Sequence, residues 1–125
     1  MELDESRLRS VGEARTLYRL GNGIEIVRRK KHEPLDSEDL KRDVLERKTD
    51  SRSGSKFLSG TPLKQIVEMT AEILLENEAR VGSNKFYNKV YPRPIGISRG
   101  EKVCAIRVEL KGRWAHGYPV DERLL

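Results

Sequence analysis

The sequence predicts a small α+β domain, and three features carry that expectation. Apolar positions Leu63, Ile66, Val67, Thr70, Ile73 and Leu74 recur at helical spacing just after Gly60-Thr61-Pro62, a helix-start signal. Residues 102–113 give the clearest strand signal, with Cys104, Ile106, Val108 and Leu110 on one side and Arg107, Glu109 and Lys111 on the other. Two short β-type runs, Leu17 to Leu20 and Ile24 to Val27, flank Gly21-Asn22-Gly23, the signature of a hairpin. The expected architecture is a small mixed sheet with one long core helix and one short surface helix. A chain of 125 residues fits one domain. It can bury a core without a disulfide or metal staple.

The elements follow in chain order. Residues 1–15 carry both signs of charge and few apolar anchors, so they read as a flexible tail, with the single domain over 16–125. After the hairpin comes a basic run, Arg28-Arg29-Lys30-Lys31-His32, and Pro34 then breaks any strand. Asp36 or Ser37 caps a surface helix with Glu38 and Asp39 at its positive end, reaching about Lys48. Its apolar stripe is thin: Leu40, Val44 and Leu45. Residues 49–56 form a polar loop. Phe57-Leu58 reads as a short strand or an anchor. Thr61 is expected to cap the core helix, with Pro62 as its first residue and its end near Asn77. The outer stripe of that helix, Glu68, Glu72 and Glu76, is acidic. Phe86, Val90 and Tyr91 read as strand positions, ended by Pro92 and Pro94. Arg93 to Gly100 reads as an exposed loop, 102–113 as one continuous strand, and the chain from Gly117 as a tail lying across the domain through Trp114 and Tyr118. No internal repeat occurs.

Several function classes find no support in the residues. Cys104 is the only cysteine, so no internal disulfide forms, and its apolar surroundings make it a small core residue rather than a nucleophile. His32 and His116 are the only histidines, and neither has partners at metal-ligand spacing. Ser53-Gly54-Ser55-Lys56 is only a fragment of a phosphate-binding loop. No nucleophile elbow or kinase signature occurs. The expectation is no catalytic residue, no metal and no cofactor. The N-terminus lacks a signal-peptide core, and the most apolar stretch, Ile66 to Leu75, contains Glu68 and Glu72, so no membrane span is expected and the location reads as cytoplasmic, or nuclear in a eukaryote.

The informative chemistry is basic. Lysine and arginine number 25 against 20 acidic residues, a net charge of +5, and the cations cluster. Arg28, Arg29, Lys30 and Lys31 are consecutive. Arg52 and Lys56 sit in the polar loop, and Lys85, Lys89, Arg93 and Arg99 surround Phe86, Tyr87 and Tyr91. Cations neutralise phosphates and aromatic rings stack bases, so these ten cations form the candidate nucleic-acid-binding set. A solvated, ion-paired surface explains the same residues without a ligand.

The expected element order, strand, helix, short strand or loop, core helix, strand, strand, resembles the Alba family of small basic DNA- and RNA-binding proteins. The stretches that carry the likeness are Ile24-Glu25-Ile26 with Lys30 and Lys31, then Gly60 to Glu68, then Arg80-Val81-Gly82-Ser83 with Val103 to Lys111. The likeness departs at the first helix, which is highly charged here, at the weak strand near Phe57, and at the acidic stripe. It implies a homo-oligomer, a dimer, gripping the DNA or RNA backbone with Lys30, Lys31 and loop arginines and with little sequence choice. Two other readings stand beside it. Glu109-Leu110-Lys111-Gly112 resembles the E-x-K half of PD-(D/E)xK nucleases, in which carboxylates hold a divalent cation. The upstream aspartate of that pattern is missing, since none occurs between Asp50 and Asp121. A non-catalytic assembly or ligand-binding subunit shares every fold feature and would use its sheet face for association.

Overall fold

The computed structural model describes residues 16–34 and 55–125. The expected tail, the surface helix over 36–48 and Arg52 lie outside the described residues. The chain is α+β. Among the described residues it has one α-helix, α1 (Leu63–Glu76), and eight strands: β1 (Thr16–Arg19), β2 (Glu25–Val27), β3 (Lys56–Phe57), β4 (Phe86–Val90), β5 (Gly96–Ser98), β6 (Glu101–Val103), β7 (Ala105–Lys111) and β8 (Trp114–Val120). A five-stranded sheet has the order β1-β2-β8-β7-β4, and a three-stranded sheet the order β3-β5-β6. Five strands follow the core helix, where the sequence suggested two. The chain divides into two compact units: one holds 16–28, 62–87 and 108–117, the other 29–34, 55–61, 88–107 and 118–125.

In the first unit the hairpin forms as expected. β1 and β2 pair antiparallel, Tyr18 with Ile26 and Arg19 with Glu25, and a bulge falls between Thr16 and Tyr18. Gly23 turns the chain at φ +93°, and the Asn22 side chain fixes the turn twice, accepting from the Ile24 amide at 3.1 Å and donating to the Ala79 carbonyl at 3.0 Å. β2 is buried throughout because it also pairs with β8, in parallel, Glu25 with Trp114 and Ile26 with Ala115. α1 packs on β2 with Ile66, Val67, Met69, Thr70, Ala71, Ile73 and Leu74 buried, which matches the apolar period apart from Leu63 at its edge. Thr70 is tolerated there because its hydroxyl donates to the Ile66 carbonyl at 2.8 Å. The helix start differs by one residue from the expected cap. Pro62 holds the N-cap position with extended ψ, and its carbonyl accepts the first helical bonds from Gln65 and Ile66. Thr61 does not cap, because its hydroxyl closes the preceding turn by donating to the Leu58 carbonyl at 2.7 Å. At the far end Asn77 bonds Ile73, and Glu78 takes the left-handed position at φ +51° that glycine usually fills.

The second unit corrects three readings. Arg93 to Gly100 is not an exposed loop throughout: Gly96–Ser98 is β5, paired with β3 and β6, and Ile95 and Ile97 are 6% and 4% exposed. The short alternation Ile95, Ile97 was hidden among Pro94, Gly96 and Gly100. Gly96 is there because the backbones are close: a Cβ would press on the Pro119 ring and lie 2.8 Å from the Lys56 carbonyl oxygen. The single expected strand over 102–113 is two strands, broken at Cys104. Val103 and Ala105 are buried on either side, while Cys104 itself is half-buried rather than core. Its amide donates to the Glu122 carboxylate at 2.8 Å, and desolvation, with that carboxylate beside it, pushes the thiol pKa up, away from a nucleophile's range. The expected C-terminal tail is β8, an interior strand of the five-stranded sheet, with only residues 121–125 beyond it. Arg123 ties that end down through Asp121 at 2.9 Å and Glu101 at 2.6 Å.

Candidate nucleic-acid interface

The basic run leaves β2 and, within the second unit, folds into a 3-10 turn over Lys30–His32, closed by the His32 amide on the Arg29 carbonyl at 3.1 Å. What pins the turn is its last residue. His32 is 6% exposed. Its Nδ1–H donates to the Ser55 carbonyl at 2.7 Å, and its ring stacks on Tyr118 with centroids 4.8 Å apart and planes 17° apart. Ser55, itself buried, donates its hydroxyl to the Pro119 carbonyl. Burial drives the His32 pKa down to about 4, and the Ser55 bond opposes this only in part. The charges of Lys31, Lys56 and Arg29 push in the same direction as burial. The imidazole is therefore neutral near pH 7, with the proton on Nδ1.

That electrostatic pattern also locates the cations, because three of them act on one ring. Lys56 is not in a flexible loop as the sequence suggested. It lies in β3, paired with Ile97, and its Nζ donates to the Lys31 carbonyl at 2.7 Å. Lys31 is exposed and Arg29 half-buried. The Lys56 bond thus joins Lys31 and Lys56 beside the turn that His32 anchors, and the Arg29 carbonyl closes that turn. The Lys30 backbone belongs to the same turn, and Arg28 is half-buried just before it, at the end of the first unit.

The remaining candidates have separate surroundings. Lys85 is exposed ahead of β4, and its carbonyl accepts from the Leu110 amide at 2.9 Å. Lys89 stands over the Tyr91 ring at 5.6 Å, a cation–π contact. Arg93 is exposed. Arg99 sits at φ +55° in the turn between β5 and β6 and helps lower the Asp121 pKa, after the hydrogen bonds from Arg123. Of the three aromatic residues in this set, Phe86 is 57% exposed and Tyr87 bonds the Ser83 hydroxyl at 3.3 Å.

The nuclease-like pair lies on β7. Glu109 faces His116 at 3.9 Å, Lys111 is exposed, and Glu101 is bound by Arg123. Among the described residues no group of three or more His, Cys, Asp or Glu side chains is placed to hold a metal ion. No helix among them is long and apolar enough to cross a membrane. The sequence reading missed His32, Ser55 and Tyr118 as the support of the basic turn. The only local signal was a histidine ending a basic run two residues before a proline; its partners come from β8 and the approach to β3. It also passed over Arg19, Glu25 and Arg113 in the first unit. No protein-family model, curated protein or solved structure matches this chain.

Proposed function

We propose that the protein binds the phosphate backbone of nucleic acid with little sequence choice, through Arg29, Lys31 and Lys56. The supporting observation is the 2.7 Å bond from Lys56 Nζ to the Lys31 carbonyl, which ties β3 to the basic turn and concentrates positive charge there. The 3-10 turn that follows Arg29 sets Lys31 against β3 and its Lys56, and a backbone phosphate is the ligand such a point cluster fits. Lysine ammonium groups act as point charges without a fixed fork, so affinity exceeds base discrimination. The test is fluorescence anisotropy with labelled duplex DNA, single-stranded DNA and RNA. The expected result is micromolar, sequence-tolerant binding that weakens steeply with salt. Absence of binding to all three at low salt by folded protein rejects the reading.

A second reading, a non-catalytic assembly subunit, draws on β4. It is an edge strand of the five-stranded sheet, and Phe86 and Val90 on it are 57% and 58% exposed. Light scattering across a concentration series tests it: a monomer at every concentration rejects association through this strand.

A further inference from the structure

The first unit contains a second basic feature, built differently from the lysine turn. Three turns meet at one end of it. The hairpin turn at Gly21–Gly23 is tied to the end of the helical segment by Asn22 on the Ala79 carbonyl. The turn at 80–83 is tied to the β7–β8 turn by the Gly82 amide on the Gly112 carbonyl at 2.7 Å, and the Asn84 side chain accepts from the Gly112 amide at 2.7 Å. The β7–β8 turn is tied to β2 by the Glu25 amide on the Arg113 carbonyl at 2.7 Å. Two non-glycine residues here, Glu78 and Asn84, hold left-handed backbone at φ +51° and +48°. Such conformations persist only where the surroundings over-determine them, so these turns are held in fixed positions.

Between them lies a cleft of about 280 Å³ lined by Arg19, Gly23, Val81 and Arg113. Gly23, at φ +93°, lets the hairpin turn approach Val81: a Cβ there would touch its Cγ2 at 3.5 Å. The charges do not cancel. Arg19 Nη2 donates to Glu25 Oε1 at 2.7 Å, and this bond is the chief reason the Glu25 carboxyl titrates below its ordinary range. Arg113 also favours the Glu25 carboxylate but reaches it only through space. No hydrogen bond or ion pair occupies the Arg113 guanidinium among the described residues. Two guanidiniums thus share one carboxylate, which leaves one positive charge and most of ten N–H donors at the cleft.

We propose that this cleft binds the phosphate group of a small phosphate monoester, with Arg19 and Arg113 gripping its oxygens and Val81 covering its apolar part. Guanidinium pairs are suited to such anions because each offers two parallel donors to adjacent oxygens. The cleft is too small for a large ligand, so one phosphate with a small body is the class it takes. Trp114, the only tryptophan in the chain, follows Arg113 and pairs in register with Glu25, which itself pairs with Arg19. Its indole N–H is a built-in reporter of that row.

The test is a nitrogen-15 NMR titration of the full chain at constant ionic strength, observing the Trp114 indole and the arginine Nε–H signals. The probes are inorganic phosphate, phenyl phosphate, benzoate and chloride. The expected result is a saturable shift at Arg19, Arg113 and Trp114, with phenyl phosphate binding below about 1 mM, more tightly than inorganic phosphate and benzoate. Arg113→Ala is expected to weaken phenyl phosphate about tenfold or more, the loss of a hydrogen bond to a charged group. Arg113→Lys keeps the charge and is expected to fall short of wild type as well. Lys31→Ala with Lys56→Ala is expected to leave the titration unchanged, so this site and the lysine turn fail or survive separately. Non-saturating shifts, equal response to chloride, tighter benzoate binding, or wild-type affinity in folded Arg113→Ala would each overturn the assignment.

Discussion

His32 is buried neutral, and acid should therefore unfold this protein earlier than its carboxylates alone would allow. The imidazole titrates near 6.5 in the unfolded chain and near 4 in the folded one. Between those values the unfolded state binds the extra proton, so stability falls as pH falls. The contribution is complete above about pH 6.5, and it is lost progressively down to about pH 4. Linkage over that window gives a loss of as much as about 2 kcal/mol at pH 5 and about 3 kcal/mol at pH 4, relative to pH 7.5. Glu25, Asp121 and Glu122 also have lowered pKa values, held down by Arg19, by Arg123 and by backbone amides respectively. Their stabilisation is present above the ordinary carboxylate range and is lost below it, so these three do not act between pH 6.5 and 5, and the part of the slope that His32→Phe removes belongs to His32. The assay is urea unfolding followed by circular dichroism at pH 7.5, 6, 5 and 4.5. His32→Phe keeps the stack on Tyr118, has no titrating ring and leaves the Ser55 carbonyl without its donor. It is expected to be less stable at pH 7.5 but flat down to pH 5. A wild-type midpoint that does not move between pH 7.5 and 5, or an equal slope in the variant, refutes the reasoning.

Other substitutions follow from the packing. Leu74→Ala removes a fully buried side chain from the face of α1 and is expected to cost about 2–5 kcal/mol, read from the urea midpoint. Gly96→Ala forces a Cβ against Pro119 and the Lys56 carbonyl and is expected to cost about 1–3 kcal/mol; a stable variant would show that β3 and β8 can move apart there. Glu72→Gln, on the exposed side of α1, is expected to change stability by less than about 0.5 kcal/mol.

The legible parts of the fold were those whose signal is local. The helical period from Ile66 to Leu74 and the Gly-Asn-Gly turn each fit in a few residues, and both formed as expected. β5 was missed because its apolar pair is flanked by glycine and proline, and what makes Gly96 a strand residue is the close approach of Pro119, distant in sequence. β8 read as a tail because Trp114-Ala115-His116-Gly117-Tyr118-Pro119-Val120 has weak alternation; its place beside β2 is a parallel pairing that no local pattern encodes. The break at Cys104 was invisible for a similar reason, since the partner of its amide is Glu122. In the candidate site, the clustering of Arg29 and Lys31 was plain from adjacency. Lys56 joined them only through tertiary structure. The cleft between Arg19 and Arg113 had no sequence signal at all, because it is assembled from three turns.

The proposal that Lys31 and Lys56 form one phosphate-binding cluster is tested most directly by the salt dependence of binding. Equilibrium anisotropy with a labelled duplex, measured for wild type and for Lys31→Ala with Lys56→Ala over a salt series, gives the slope of log affinity against log salt. Each phosphate contact contributes about 0.9 to that slope on duplex DNA, so the double variant is expected to lose between about one and two units while remaining folded. The affinity loss is expected to be the same for unrelated sequences. An unchanged slope and affinity in the folded double variant would contradict the account.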